Sequence, residues 1–372
     1  EKEHKSLMKR YGNLFEKIID INNLVRAHNN ARKRKTKNPE VQKVDSDVLG
    51  YCMQIREMLV RGTFTTSKYH IFNIVDRGKE REICDLPYFP DRIVHWAIMQ
   101  VLEPIFCSHF IAQTYAAIPG KGTHKALQQL HEYMDDKEGT AYCLKLDVKK
   151  FFPHVNGEIL KALLRKKIKC ERTLWLLDDI VDSYDNGLPI GNYTSQYFGN
   201  YYLSYFDHWI KEVKGVKYYL RYMDDIIILH SSKEYLHELK REIDEYFANL
   251  KLTVKGNWQI FPTLVRGVDF VGYRSFEGYT LLRKPTKKRL KAATKRLLFK
   301  VQSGKPLTTS DRSVIGSYHG ILKWCDSWRL SNKTINKVQG GAYAGTRNTG
   351  TKAACAGVRQ GHGLRAQQYS TD

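Results

Sequence analysis

The stretch KYYLRYMDDIIILH, residues 217–230, decides the fold. Two apolar runs of strand character flank a short polar centre, which predicts a β-hairpin with Asp224 and Asp225 at its tip. A second apolar strand, in AYCLKLDVKKFF, ends at Asp147. An unpaired carboxylate at the end of a buried strand is costly. The two segments are therefore predicted to be neighbours, so that the three acids share one metal site.

Three clustered carboxylates suit one kind of chemistry. Mg²⁺ prefers oxygen ligands, and two such ions about 3.5–4 Å apart stabilise the attacking and leaving oxygens when a nucleotide is joined to a 3′ hydroxyl. Asp147, Asp224 and Asp225 are therefore the predicted catalytic residues and the predicted ligands of two Mg²⁺ ions, with Asp225 the lesser contributor.

The tetrapeptide YMDD also occurs at Tyr133–Asp136, in a different context. This copy ends the helical pattern of Ala126, Leu127, Leu130 and Met134, and it continues into the polar stretch DDKEGT. Such a context is typical of a solvated helix end. The first copy is therefore interpreted as structural and the second as catalytic.

The charge balance predicts a polyanionic partner. The chain has 61 Lys plus Arg against 39 Asp plus Glu, a formal net charge of +22 over 372 residues. An excess of this size favours phosphate backbones, although basic residues also serve solubility. The 7 cysteines form no C-x-x-C pair or zinc-ligand pattern, which indicates reduced thiols in a cytoplasm. With no signal-peptide core and no apolar run near the roughly 20 residues of a membrane helix, no membrane association is expected.

Periodicity along the rest of the chain predicts a mixture of helices and strands. Predicted helices cover 12–30, 46–61, about 91–110, Thr123–Met134 capped by Thr123, 157–168, 171–183, 192–210 and 233–250. Predicted strands lie within 66–86, with a turn at Asp76–Lys79 that uses Gly78, and at 252–255, 258–261, 268–274 and 279–282. The basic run ARKRKTKNPE at 31–40 is interpreted either as a solvated loop or as a contact for RNA phosphates.

These motifs together resemble the reverse transcriptases. YMDD on a hairpin is the hallmark of that family, LDVKKFF is similar to its partner motif, and the resemblance covers about residues 65–330. GKEREICDLPYFPDRIVHWAIMQVLEPIF and YAAIPGKGTHKAL are similar to two further segments of the group II intron, retron and related enzymes. The resemblance implies an RNA-directed DNA polymerase that binds a template RNA, a DNA or RNA primer and deoxynucleotide substrates.

The implied fold is α+β, a right-hand polymerase with fingers, palm and thumb. An N-terminal helix and basic loop would occupy 1–39, with fingers and palm at 40–283, where the fingers are about 40–140 plus 157–183. The palm would be an antiparallel sheet that carries the carboxylates. Residues 284–336 would form a helical thumb, and 337–372, rich in Gly, Ala and Thr, would be a flexible tail.

One motif narrows the branch of the family. LPIGNYTSQ, residues 188–196, has Ile190 and Gln196 where intron and retron enzymes usually carry Gln and Pro. In this it resembles the reverse transcriptases of diversity-generating retroelements, which copy a template-repeat RNA into cDNA with errors at adenines and work with a small basic accessory protein oligomer. A retron, intron-type or phage-defence reverse transcriptase is the nearer alternative. A non-catalytic RNA-binding scaffold is the more distant one.

The resemblance also implies roles for individual residues. Phe152 matches the gate that excludes a 2′ hydroxyl, with Phe151 pointing into the core. The backbone oxygen of Val148 would complete one metal shell, and Lys255 would protonate pyrophosphate. Arg92 is interpreted as a structural pairing residue. Predicted nucleotide-binding residues are Lys79, Arg81, Phe152, Ile190, Gly191 and Gln196, and predicted primer-proximal residues are Tyr222, Met223, Gly272 and Tyr273.

Overall fold

The computed structural model describes residues 9–76 and 78–339. The chain divides into two compact units, one ending at Leu281 and the other beginning at Leu282. Helices and antiparallel strands are mixed along the first unit, as the predicted α+β class requires. Across the described part of the chain, no helix combines the length and the apolar character that a membrane span needs.

The strands build three sheets. They are β1 His70–Asp76, β2 Lys79–Asp85, β3 Tyr142–Asp147, β4 Tyr218–Tyr222, β5 Asp225–His230, β6 Gln259–Pro262, β7 Val268–Phe270, β8 Tyr273–Phe276 and β9 Tyr279–Leu282. The strands β1 and β2 form a hairpin, and β7, β8 and β9 follow one another in a second sheet. The central sheet has the order β4-β5-β3-β6 and is antiparallel throughout.

The apolar run in β5 is explained by burial on both faces of the central sheet. Ile226 and Ile228 belong to one hydrophobic core, and Ile227 and Leu229 belong to a second. Because successive side chains of a strand point to opposite faces, a strand covered on both sides is apolar at every position. The central sheet is therefore a rigid support for whatever its strand ends carry.

Helices surround the sheets. In the first unit they are α1 Phe15–Ile18, α2 Ile21–Ala31, α3 Pro39–Asp45, α4 Val48–Arg61, α5 Ile93–Cys107, α6 Thr123–Met134, α7 Phe151–His154, α8 Gly157–Lys167, α9 Glu171–Asp182, α10 Tyr193–Tyr202, α11 Ser204–His208, α12 Lys233–Asn249 and α13 Thr263–Arg266. A kinked segment, Tyr88–Arg92, in which Phe89 is extended, precedes α5, and a π-helical segment, Trp209–Val213, follows α11.

The second unit contains α14 Lys284–Gln302, α15 Thr309–Leu322 and α16 Trp328–Lys333. Eight of the 19 residues of α14 are Lys or Arg, and none is acidic. Thr308 and Asp311 form a reciprocal capping box at the start of α15, which satisfies backbone donors that a helix leaves unpaired at its beginning.

Several predicted boundaries are corrected by local capping and turns. The predicted helix 12–30 is two helices, because the Asp20 side chain accepts a hydrogen bond from the Asn23 backbone nitrogen and starts α2 afresh. Thr123 is the first residue of α6, and Gly122 occupies the capping position. The predicted helix 46–61 begins at Val48, after the Asp47 cap.

Two predicted strands are also corrected. The segment 252–255 contributes only a bridge between Val254 and Val148. The segment 268–274 is not one strand, because a turn at Val271 and Gly272 divides it into β7 and the start of β8. Val338, within the predicted flexible tail at 337–372, is buried at 1% exposure. The remainder of that predicted tail, from 340, and residues 1–8 lie outside the described residues.

Candidate active site

A two-residue turn closes the β4–β5 hairpin and holds Asp224. Tyr222 pairs with Asp225, so Met223 and Asp224 form the loop between the strands. Met223 has a φ of 58°, in the left-handed region that tight hairpin turns need and that side chains other than glycine rarely adopt. Surrounding contacts must therefore hold this conformation.

Buried Arg221 supplies such contacts. Its Nη1 donates to the carbonyl of Met223 at 2.9 Å, while Nε and Nη2 donate to the two carboxylate oxygens of Asp207 at 2.7 and 2.5 Å. Asn200 accepts two further bonds at 3.1 and 3.2 Å. Burial alone would lower the pKa of Arg221, but the carboxylate of Asp207 outweighs burial and raises it. The turn that carries Asp224 is thus anchored to α11 through a charged pair.

The end of β3 brings Asp147 to the same turn. Asp147 is in register with Asp225 across the β3–β5 ladder, and the backbone nitrogen of Val148 donates to the carbonyl of Asp224 at 3.3 Å. The prediction that the strands bearing the acids are neighbours is confirmed. Asp147, Asp224 and Asp225 therefore lie at one edge of the central sheet, with buried Val148 beside them.

The acids form a cluster with excess negative charge. Burial, reinforced by the charge of Asp147 and a hydrogen bond to it, raises the pKa of Asp224 to about 7. Two lysines face the cluster: the Nζ of Lys255 lies 3.5 Å from Asp147 Oδ2, and the Nζ of Lys145 lies 3.6 Å from Asp225 Oδ1. An arrangement of this kind attracts further cations.

The donor set fits magnesium. No trio of His, Cys, Asp or Glu side chains within residues 9–76 and 78–339 is already spaced as a metal-binding cluster. The three acids at the sheet edge nevertheless offer carboxylate oxygens, the ligands that Mg²⁺ prefers. Burial and the charge of Asp147 raise the pKa of Asp224, and a divalent cation would offset both effects. Asp147, Asp224 and Asp225 are the residues that would hold it.

A cleft of about 980 Å³ opens beside the hairpin turn. Six of the predicted nucleotide-binding and primer-proximal residues line it, although they come from distant parts of the sequence: Phe152, Ile190, Gly191, Gln196, Tyr222 and Met223. The structure therefore brings the tip of the hairpin and the LPIGNYTSQ segment to one cavity.

The two neighbouring phenylalanines after β3 differ in environment. Phe151 is buried at 2% exposure in the main core, whereas Phe152 is partly exposed and lines the cleft. The ring of Phe152 is thus available to a molecule in the cleft, and that of Phe151 is not.

Gly191 is required by a contact within the protein. Its φ is 137°, and a Cβ atom at this position would lie 2.3 Å from the carbonyl oxygen of Cys84. The Cys84 nitrogen also donates to the Ile190 carbonyl at 2.8 Å. A predicted nucleotide-binding role is therefore not needed to explain the glycine, because packing against the end of β2 already demands it.

Other predicted site residues lie elsewhere. Lys79 and Arg81 are exposed on β2 and are not among the residues that line the cleft. Tyr273 is buried at 3% exposure, with its hydroxyl 3.4 Å from His124 Nε2. The ring of Tyr273, a predicted primer-proximal residue, is thus packed inside the protein. Gly272, with a φ of 97°, forms the turn between β7 and β8.

Basic residues that sequence reasoning did not assign to the site line the cleft. Lys33, Arg34 and Lys35, from the run ARKRKTKNPE, contribute to its wall together with Arg92. Arg92 forms an ion pair with Asp85, as its predicted pairing role requires. The charge run was visible in the sequence, but nothing in it indicated that the loop folds against the LPIGNYTSQ segment.

Aromatic packing completes the cleft wall. The rings of Trp96 and Tyr193 stack with centroids 4.1 Å apart, and both residues line the cleft. His95 is buried beside them, and burial lowers its pKa to about 3. A neutral imidazole and two stacked rings give this wall an apolar character next to the basic loop.

The first YMDD copy has a structural role. Asp136 accepts hydrogen bonds from the Tyr218 hydroxyl and from the backbone nitrogen of Gly139, the latter at 2.9 Å. Tyr218 begins β4, at the opposite end of that strand from Tyr222. These contacts tie the end of α6 to the central sheet, away from the hairpin turn.

The chain matches the family model described as reverse transcriptase (RNA-dependent DNA polymerase) over residues 73–274. This match covers more than half of the chain and contains β3, β4, β5 and the hairpin turn. The chain therefore belongs to the reverse transcriptase family.

Curated relatives agree with this membership. The chain is 27% identical over 106 residues to nuclear intron maturase 1, mitochondrial, of Arabidopsis thaliana, covering 28% of this chain and 14% of the maturase. It is 27% identical over 165 residues to nuclear intron maturase 4, mitochondrial, of the same plant, covering 41% and 20%. Protein YkfC of Escherichia coli is 21% identical over 287 residues, covering 63% of this chain and 75% of YkfC. The similarity thus spans a fifth or less of either maturase.

Proposed function

We propose that this chain is an RNA-directed DNA polymerase that copies a template RNA into cDNA. The observation that carries the proposal is the meeting of Asp147, Asp224 and Asp225 at one sheet edge beside a cleft. Two Mg²⁺ ions held there would polarise the reacting phosphate and lower the pKa of the attacking hydroxyl. The protein itself holds these carboxylates in fixed positions at the ends of buried strands.

The cleft residues then select and orient the substrates. Phe152, Ile190 and Gln196 line the cleft. In this proposal the ring of Phe152 would exclude a 2′ hydroxyl, and Ile190 and Gln196 would contact the nascent base pair. Lys33 and Lys35 supply positive charge for a phosphate backbone entering the cleft. In this proposal the first unit provides fingers and palm, and the basic helices of the second unit provide a thumb that grips the primer–template duplex.

The test is primer extension by the purified chain on an RNA template. We expect incorporation of deoxynucleotides on an RNA template annealed to a DNA primer in the presence of Mg²⁺. Chelation should stop it, and excess Mg²⁺ should restore it. A folded chain that binds the RNA–primer hybrid but extends nothing at any Mg²⁺ concentration would favour the non-catalytic scaffold.

The finer proposal is a diversity-generating reverse transcriptase. LPIGNYTSQ supports it, because Ile190 lines the cleft and lacks the side-chain amide of the glutamine that intron and retron enzymes usually carry there. Such an enzyme would copy a template-repeat RNA with errors at adenines, together with a small basic accessory protein oligomer.

A second candidate is an intron-type enzyme, favoured by the similarity to two intron maturases. Sequencing of cDNA from one RNA with all four bases separates the branches. Errors concentrated opposite template adenine would support the diversity-generating branch. A low misincorporation rate that is equal opposite all four template bases would support the intron type.

A further inference from the structure

Lys145 is a charged residue within a buried strand. Its neighbours on β3, Leu144 and Leu146, are 0% and 1% exposed, and both belong to the main core. The Lys145 side chain itself is 25% exposed. Desolvating an ammonium group to this extent is costly unless anionic groups compensate for the lost water. The identity of those anionic groups indicates what the lysine does.

Two carboxylates face the ammonium group. Nζ lies 3.6 Å from Asp225 Oδ1 and 3.9 Å from Asp269 Oδ1, and it also donates a hydrogen bond to the carbonyl oxygen of Asp269. Lys145 pairs with Ile227 in the β3–β5 ladder, so Asp225, two residues away, is its diagonal neighbour on the same face. The contact with Asp225 is therefore built into the strand register.

The second partner extends the contact to another hairpin. Asp269 lies on β7 and pairs with Arg274 of β8, whose Nη2 is 3.8 Å from Asp269 Oδ2. Between these strands lies Gly272, a residue predicted to be close to the primer. A continuous series of alternating charges thus runs from Asp225 through Lys145 and Asp269 to Arg274.

We infer that Lys145 is a positioning residue that fixes one oxygen of Asp225 and ties the YMDD hairpin to the β7–β8 hairpin. The inference rests on the proposed function, in which Asp225 is a metal ligand. Oδ1 of Asp225 is buried and lies 3.6 Å from the ammonium group, so the charge of Lys145 acts directly on this carboxylate. Metal position and primer position would then depend on one side chain.

The test compares Lys145→Met with Lys145→Arg, with Mn²⁺ as the probe ion. Electron paramagnetic resonance of free Mn²⁺ gives the dissociation constant without any reaction. Removing a positive charge from beside the acids strengthens cation binding, so Lys145→Met should lower this constant at least about threefold. The same variant should lose about tenfold in kcat, because Asp225 is no longer oriented. Lys145→Arg keeps the charge and should stay within about twofold of wild type in Mn²⁺ binding.

Two further variants test whether the change in Mn²⁺ binding is specific to Lys145 and whether the β7–β8 hairpin is involved. Lys233→Met removes the same charge at the exposed start of α12 and should leave Mn²⁺ binding unchanged. Asp269→Asn keeps Lys145 and removes its far partner. This variant should raise the KM for the primer at least about threefold while Mn²⁺ binding changes less than about twofold, since only the tie to the β7–β8 hairpin is weakened.

The outcomes separate this inference from the proposed function. If Asp224→Asn loses Mn²⁺ binding while Lys145→Met binds Mn²⁺ as wild type does, the role of Lys145 is overturned and the metal site stands. If Asp224→Asn binds Mn²⁺ normally, the metal site and the proposed function both fall. An unchanged primer KM in Asp269→Asn overturns the tie between the hairpins. Should Lys145→Met fail to fold, Lys145→Gln serves in its place.

Discussion

The buried pair of Arg221 and Asp207 gives a prediction whose size follows from the contacts. Arg221→Lys keeps the positive charge but replaces a planar guanidinium group with five N–H donors by an ammonium group with three. Arg221 makes five side-chain hydrogen bonds, two to Asp207, two to Asn200 and one to the carbonyl of Met223. At least two of these bonds are lost, and each hydrogen bond to a charged group contributes about 1.5–3 kcal/mol.

We therefore expect Arg221→Lys to lower the free energy of unfolding by about 3 kcal/mol or more. We also expect kcat for primer extension to fall at least about tenfold per folded molecule, because Met223 is no longer held in its left-handed conformation. Urea unfolding followed by circular dichroism measures the first effect. Single-nucleotide extension, corrected for the folded fraction, measures the second.

Arg165→Lys is the matched control. Arg165 also makes a two-pronged pair, with Asp178, but its side chain is 44% exposed. Exposed pairs contribute about 0–1 kcal/mol, so this variant should be nearly neutral for stability and activity. If Arg221→Lys costs no more than Arg165→Lys and extends primers at the wild-type rate, the buried pair does not hold the turn.

Three further substitutions probe the cleft. Phe152→Ala should allow the enzyme to incorporate ribonucleotides, because the ring beside the sugar is removed. Single incorporation of rNTP compared with dNTP measures this effect. Unchanged selectivity between the two sugars would mean that another residue excludes the 2′ hydroxyl. Ile190→Gln should lower misincorporation opposite template adenine, where each 1.4 kcal/mol or so of discrimination is about tenfold; equal adenine error rates in cDNA from both enzymes would exclude Ile190 as the source of infidelity. Gly191→Ala should destabilise the protein by about 2 kcal/mol in urea unfolding, owing to its positive φ and the clash with Cys84, whereas Gly256→Ala, with nothing within 4 Å, should not.

The sheet edge that carries the acids could be predicted because its information is local. Four successive apolar residues in β5, Ile226–Leu229, and the abrupt change to acids at its start indicate a strand buried on both faces and a polar tip. Local pattern also distinguishes the two YMDD copies, since the first continues a helical periodicity. Asp147 then followed from the cost of leaving a carboxylate unpaired at the end of β3.

The remaining features depend on contacts between distant segments. The family resemblance implies a nucleotide-binding role for Gly191. The requirement for glycine, however, arises from the contact with Cys84, more than a hundred residues earlier. The basic loop at Lys33–Lys35 lines the cleft only because the chain folds it there. The hydrophobic periodicity predicts one helix over 12–30, but the chain forms two. The side chain of Asp20 caps the start of the second helix. The burial of Tyr273, a predicted primer-proximal residue, likewise depends on contacts that its local sequence does not specify.

The central claim is that Asp147, Asp224 and Asp225 hold the metal ions of a reverse transcriptase. The most direct measurement is the primer-extension rate of Asp224→Asn, with affinity for the RNA–primer hybrid measured alongside and Asp135→Asn of the first YMDD copy as the matched control. Extension should be abolished in Asp224→Asn while affinity stays close to wild type, because phosphate contacts elsewhere dominate binding. Asp135→Asn should extend normally. An Asp224→Asn enzyme that polymerises at the wild-type rate would contradict the account.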